Sequence, residues 1–253
     1  MLQENLYSIT TKFDARCKRC SLTTGRAIGG HSFSPLSKLG LFIISAYPGA
    51  EEVKQGFSLA PNTQSPTMDT MNAGRYLRYA LTHVFDLDPS FPSSLKPFYK
   101  YCAYSNIVKC SPIIRKEKKD VSEQHIKVCK DWLELEVEEL SKHNPKIPLL
   151  LLGSEACKLI DKDLTVYSNR RKLFHYKNLN PTIISFNPIE CVRYSHRTLK
   201  DFKTRLDGTL KVEDIGYWKP LPFGSVPWHF LKDLELIKKY VLNHYYYHLN
   251  KVN

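Results

Sequence analysis

The chain is short of acid. Against 37 lysines and arginines it sets only 25 aspartates and glutamates, a formal net charge of +12 with the histidines neutral. An imbalance of that sign points to a polyanionic partner, DNA or RNA ahead of a membrane surface. The sequence also has no run of eighteen apolar residues, so nothing in it reads as a membrane-spanning helix. The polar opening Met1-Leu2-Gln3-Glu4-Asn5 has no apolar segment behind it and does not read as a secretory leader. A reducing, cytoplasmic setting is therefore expected, where disulfides are rare, and the seven cysteines are left to metal ligation or burial. No internal repeat is visible. What is present excludes disorder: 42% of the residues are hydrophobic and 12% aromatic. At 253 residues the chain can bury a proper core in one large domain, expected as a monomer.

Four apolar runs bounded by turn residues read as buried parallel strands: 39–46, 102–108, 149–152 and 182–186. Helical periodicity lies between and after them. One helix starts at Asn72 and carries Tyr76, Leu77, Ala80, Leu81 and Val84 on one face. A second covers 122–142 with Ile126, Cys129, Trp132, Leu133, Val137 and Leu140 inward, a third is capped by Ser154, and a fourth covers 195–207. This alternation predicts an α/β fold, a three-layer α/β/α sandwich around a central four-stranded parallel sheet. Residues 1–40 read as irregular, 50–55 as a tight acidic loop, 57–71 as a loop over the sheet edge, and 169–172 as a basic, phosphate-contacting or solvated turn. Residues 1–209 are expected to form the α/β domain, and 210–253 an aromatic, basic C-terminal helical extension docked on it. The alternative for the tyrosines at 245–247 is a nucleic-acid platform, since aromatic rings stack on bases, and docking is the favoured reading.

The chemistry concentrates at the end of the second strand, Ser105-Asn106-Ile107-Val108-Lys109-Cys110-Ser111-Pro112. Ligands of parallel α/β sheets collect at the carboxyl ends of the strands. There the amide of Asn106 can read the edge of a small planar group with an acceptor oxygen and two donor hydrogens. Four cysteines stand out by position: the Cys17-x2-Cys20 pair, Cys110 behind the strand, and Cys129 on a helix. Four soft thiolates together suit a [4Fe–4S] cluster or a structural zinc.

These motifs resemble the uracil-DNA glycosylase superfamily, most closely its iron–sulfur branch, called family four. The counterparts are Ser45-Ala46-Tyr47-Pro48-Gly49, Ala73-Gly74-Arg75-Tyr76-Leu77, the Asn106-to-Cys110 strand end, Cys129, Leu152-Gly153 and Asn187-Pro188-Ile189. The resemblance covers roughly residues 15 to 207. It implies a base-excising enzyme acting on DNA, with Cys17, Cys20, Cys110 and Cys129 holding a [4Fe–4S] cluster. It further implies that Asn106 hydrogen-bonds the edge of a flipped-out base, Phe57 stacks on that base, Tyr47 lies against it, and Ile189 wedges into the vacated stack.

Two departures touch the chemistry. Where the family has a Glu in its first motif this chain has Ala46, followed by Tyr47, and where it has a His in the last loop this chain has Asn187. An Asn-Pro in that loop is similar to the mismatch-specific branch, whose first-motif Asn is absent here. The water-positioning acid is therefore sought elsewhere, in Glu52 first, then Glu51 and Asp69, while the amide of Asn187 remains as a donor. A site rebuilt at both motifs points to a modified pyrimidine, such as a modified cytosine of bacteriophage DNA, and so to antiviral defence. A uracil-excising repair glycosylase, a catalytically inactive DNA-binding protein of the same fold and a zinc-stapled nucleic-acid-binding protein are the other readings.

Overall fold

Five consecutive residues of one strand, Leu41–Ser45, are buried without alternation. A strand with no polar face belongs in the middle of a sheet covered on both sides, and that is where the computed structural model places it. The structure describes residues 6–20, 22, 27–59, 73–114, 117–118, 121–177, 180–191 and 225–252. In chain order the strands are β1 (Tyr7–Ser8), β2 (His31–Ser32), β3 (Leu41–Ser45), β4 (Cys102–Asn106), β5 (Ile113–Ile114), β6 (Glu117–Lys118), β7 (Leu149–Leu152), β8 (Leu173–Tyr176) and β9 (Asn180–Ser185). The α-helices are α1 (Ala50–Gln55), α2 (Ala73–Leu81), α3 (Glu123–His143), α4 (Ser154–Cys157), α5 (Val166–Asn169) and α6 (Val226–Val252).

β5 and β6 form a small hairpin of their own, and the other seven strands build one sheet in the order β1-β2-β4-β3-β7-β9-β8. The four expected strands are its centre, and they pair in parallel as β4, β3, β7 and β9. Three antiparallel strands extend this core: β2 and β1 beyond β4, and β8 beyond β9. Two corrections to the sequence reading follow. The first 40 residues are not wholly irregular, but β1 and β2 are two residues long and too short for periodicity to reveal. Residues 50–55 form helix α1 and not a loop, ended by Gly56 at φ 85°, a left-handed position that glycine takes without a Cβ penalty. β8 was not anticipated either, because three of its four residues are exposed or half-buried and carry no buried-strand signature.

Side chains alternate across a strand, so neighbouring residues of β4 look to opposite faces. Ser105 meets Glu136 of α3 on one face. Asn106 lies on the other with Ser45, the face covered by α2 and α6, whose Tyr76 and Phe230 rings sit 5.8 Å apart. Helix α6 starts five residues before the expected Leu231, and Phe230, Leu234, Ile237 and Val241 on it are buried. It is part of the main core, close enough at its far end that a Cβ on Gly40 would stand 3.5 Å from Val241. The expected helix at 195–207 and the boundary near 209 lie outside the described residues. No helix among the described residues is long and apolar enough to cross a membrane.

Candidate functional site

The parallel register lines up one row at the carboxyl edge of the sheet. Ser45 pairs with Asn106 across β3 and β4, and Leu152 pairs with Ser185 across β7 and β9. Asn106 is fully buried. Its Oδ1 accepts from the hydroxyl of Ser45, and its Nδ2 donates to the hydroxyl of Ser58 at 2.7 Å. Two serines thus hold the amide plane fixed. A carboxamide has two acceptor lone pairs and two N–H donors, so this pairing uses half of its capacity and leaves one of each.

On the far side of the row, Asn187 follows β9. Its Oδ1 accepts from the Ile189 N–H at 3.0 Å, and its carbonyl accepts from the Glu190 N–H at 2.8 Å, so Asn187 caps a helical turn over 188–191 that presents Ile189 half-buried. Gly153 lies beside it at φ 86°, and a Cβ there would come within 3.2 Å of the Asn187 Cβ. Asn106 and Asn187 therefore stand at the carboxyl ends of β4 and β9, with β3 and β7 between them.

The remaining expected residues fall into different surroundings. Tyr47 is half-buried just past the end of β3. Phe57 is half-buried next to Ser58, and its ring packs 5.4 Å from His31 and 6.0 Å from Phe33. His31 in turn lies 5.7 Å from Tyr104, while Arg78 covers Phe33 and Tyr99. Burial, with the nearby Arg78 charge, pushes the His31 imidazole down to about 3 and keeps it neutral. Glu52 is tied to backbone: one carboxylate oxygen accepts from the Gly49 N–H and the other from the Leu59 N–H. Burial raises its pKa, and those two amides pull it back. It joins the Pro48-Gly49 turn to the segment that carries Phe57 and Ser58. Asp69 and the side chain of Glu51 lie outside the described residues.

The four candidate ligands gather at the other end of the Asn106 segment. Cys110 and Cys129 are buried, and Cys17 and Cys20 are half-buried. Burial pushes the Cys110 thiol up to about 12, with Cys129, Cys20 and Cys17 adding to the rise. Cys129 is raised by burial and by Cys20 and Cys17, against a hydrogen bond from the Lys109 backbone amide and the Lys109 charge. Four thiols brought this near to one another form a donor set suited to a thiophilic centre. Among the described residues, no group of three or more His, Cys, Asp or Glu side chains takes the arrangement of ligands to a single metal ion.

Between the thiols and Asn106 lies a buried polar network. The Lys109 ammonium donates to Glu136 Oε2 at 2.7 Å and to Ser105 Oγ at 2.6 Å. Ser105 donates to the same Glu136 oxygen at 2.7 Å, and Gly30 N–H donates to Oε1 at 2.7 Å. A Cβ on Gly30 would fall 2.8 Å from the Glu136 Cδ, so glycine is what lets the backbone reach the carboxylate.

A second buried acid, missed by sequence reasoning, lies over the β9 end of the row. Asp233 of α6 is fully buried and accepts from Ser185 Oγ at 2.6 Å. Burial pushes its carboxyl up to about 7 from an ordinary 3.8, although Ser185, Arg170 and Arg171 favour the charged form. The readable signal was an acid inside the apolar stripe Phe230, Leu234, Ile237 and Val241. Because the folded-state value lies above the unfolded one, the folded protein holds this proton more tightly. The group's contribution to stability is therefore present below about pH 4 and is lost as pH rises through about 7. Among the described residues, Arg170 and Arg171 act on it through their charge, and His229 pairs with Arg170. Asp233→Asn, which mimics the protonated form, is expected to gain melting temperature relative to the parent between about pH 5 and pH 8. A difference that stays constant in thermal melts across that range would contradict this assignment.

Residues 31–210 match the family model described as the uracil DNA glycosylase superfamily. No curated protein matches the chain.

Proposed function

This chain belongs to the uracil DNA glycosylase superfamily, and from that premise we propose that it is a DNA glycosylase hydrolysing the N-glycosidic bond of a flipped-out, modified pyrimidine. The carrying observation is Asn106, a fully buried amide at the carboxyl end of a central strand, with a donor and an acceptor still to give. Flipping a base out of the stack costs a few kcal/mol, which edge hydrogen bonds and stacking offset. Asn106 would supply the first and Phe57 the second, with Tyr47 against the base. Ile189, presented by the turn that Asn187 caps, would fill the gap left in the duplex.

Breaking the glycosidic bond builds positive charge on the sugar and negative charge on the departing base. Fixed donors near the base oxygen stabilise the second charge, and they act strongly because they need no reorganisation. The Asn106 Nδ2–H and the amide of Asn187 are those donors. A water attacks the sugar, and its positioning acid is sought among Glu52, Glu51 and Asp69. Cys17, Cys20, Cys110 and Cys129 would hold a [4Fe–4S] cluster, with a single structural zinc the alternative, and its part would be to brace the segment behind Asn106. The excess of positive charge serves binding to the DNA backbone. A modified cytosine of bacteriophage DNA is the substrate that the rebuilt motifs favour, in an antiviral role inside the cytoplasm.

One observation favours a second reading, a DNA-binding protein of this fold without catalysis. Both oxygens of Glu52 are already bonded to backbone amides. The test that separates the two is abasic-site formation on duplexes carrying uracil, mispaired thymine, hydroxymethylcytosine or glucosylated hydroxymethylcytosine. Strand breakage after mild alkali at the modified cytosines alone supports the proposal. Breakage at uracil alone returns the protein to repair, and tight binding without breakage establishes the second reading. For the cluster, Cys110→Ala is expected to abolish visible thiolate-to-iron absorbance and lower the melting temperature; a colourless parent protein would exclude iron.

A further inference from the structure

The turn that carries Asn187 and Ile189 is fastened to α6 where it leaves β9. Before it, Ser185 donates to Asp233 Oδ2 at 2.6 Å. The ring of Phe186 stacks 6.4 Å from His229, at 28° between planes. After it, Cys191 is fully buried, and burial pushes its thiol pKa well up. Tyr76 of α2 packs on Phe230 of α6, with the ring centroids 5.8 Å apart. The same stretch of α6 holds the basic turn that precedes β8: His229 pairs with Arg170, and Arg171 lies 4.8 Å over the Trp228 ring.

Asp233 sits where an apolar side chain would serve docking better. Burying a carboxyl with an oxygen unsatisfied is destabilising, and Asp233 Oδ1 has no hydrogen-bond partner among the described residues. The Arg170 Nε is a buried donor with none either. The matched family segment ends at residue 210, so α6 and everything it contributes lie outside it.

We propose that the C-terminal helix α6 is a positioning element of the reaction site, in which Asp233 fixes the turn after β9 through its hydrogen bond with Ser185. Asp233 touches no substrate. It acts on where Asn187 and Ile189 stand, and so on catalysis after DNA is bound. The inference rests on the glycosylase reading only for the name of the reaction.

The experiment uses the full chain in four forms: parent, Asp233→Ala, Ser185→Ala and Val241→Ala. The last removes packing from the same helix far from the turn and controls for loosened docking. Hydrogen exchange at the amides of Ile189, Glu190 and Cys191 is read alongside single-turnover excision on the base that the parent prefers. Asp233→Ala and Ser185→Ala are expected to exchange there at least about tenfold faster than Val241→Ala, with the amides of β3 and β4 unchanged. Their excision rate is expected to fall about tenfold at saturating enzyme, with DNA affinity held. Exchange at 189–191 equal to the parent, or raised equally in all three variants, would overturn the proposal. If Asp233→Ala does not fold, Ser185→Ala decides by the same criteria. Should the parent excise no base, the glycosylase reading falls, and the exchange comparison still decides whether α6 holds the turn.

Discussion

Asn106→Ala is expected to slow base excision by about 10²–10³-fold, the loss typical of removing one preorganised donor from a site of developing negative charge. The effect should appear in single-turnover rates at saturating enzyme. DNA affinity should change little, because the phosphate backbone supplies most of it. The structure explains why the residue is positioned so firmly. Ser45 comes from the neighbouring central strand and Ser58 from the segment that Glu52 pins, so the amide plane is held by two elements. Asn106→Asp is the sharper variant. It keeps the acceptor for Ser45, removes the donor, and sets a negative charge where the departing base becomes negative. Its rate is expected to be no higher than that of Asn106→Ala. Excision within about threefold of the parent in both variants would show that the base is read elsewhere.

Glu136→Ala should be the most destabilising single change, by about 3–5 kcal/mol, as for other buried ion pairs broken from one side. Three donors converge on this carboxylate: the Lys109 ammonium, the Ser105 hydroxyl and the Gly30 amide. Removing it leaves a cation buried at 1% exposure without its counter-charge. Burial already lowers the Lys109 pKa, and Glu136 is what raises it back, so the variant should shed that proton or unfold. Urea titration measures the loss. A double variant, Lys109→Met with Glu136→Leu, should recover much of it, since apolar replacements of buried pairs are often neutral. A loss under about 1 kcal/mol for Glu136→Ala would mean that water reaches Lys109. The network also joins the two halves of the site, because Lys109 lies between Asn106 and Cys110 in the chain, and its amide bonds Cys129.

Much of this was legible in the residue order. The four central strands could be read because each is a short apolar run with no polar face, which only a buried parallel sheet accommodates. Asn106 could be read because a polar amide at the end of such a run has few structural uses. The cysteines could be singled out because a C-x2-C pair and two more thiols, one behind a strand and one on a helix, suit ligation. The short strands β1 and β2 could not, since two residues carry no period. Helix α1 could not, because its six residues show acid and turn chemistry before any apolar face.

The sequence by itself determined which side chains are able to bind, donate or ligate, and where along the chain the strands must end. Only the tertiary structure decided which of them act together. It turned Glu52 towards backbone amides, closed Glu136 on Lys109, and brought Asp233 from far along the chain over the end of β9. Glu136 and Asp233 each interrupt an apolar helical stripe, so their burial could have been suspected. Their partners could not, because a buried charge selects its neighbour by distance and desolvation in the folded state, and neither is written in the spacing of residues.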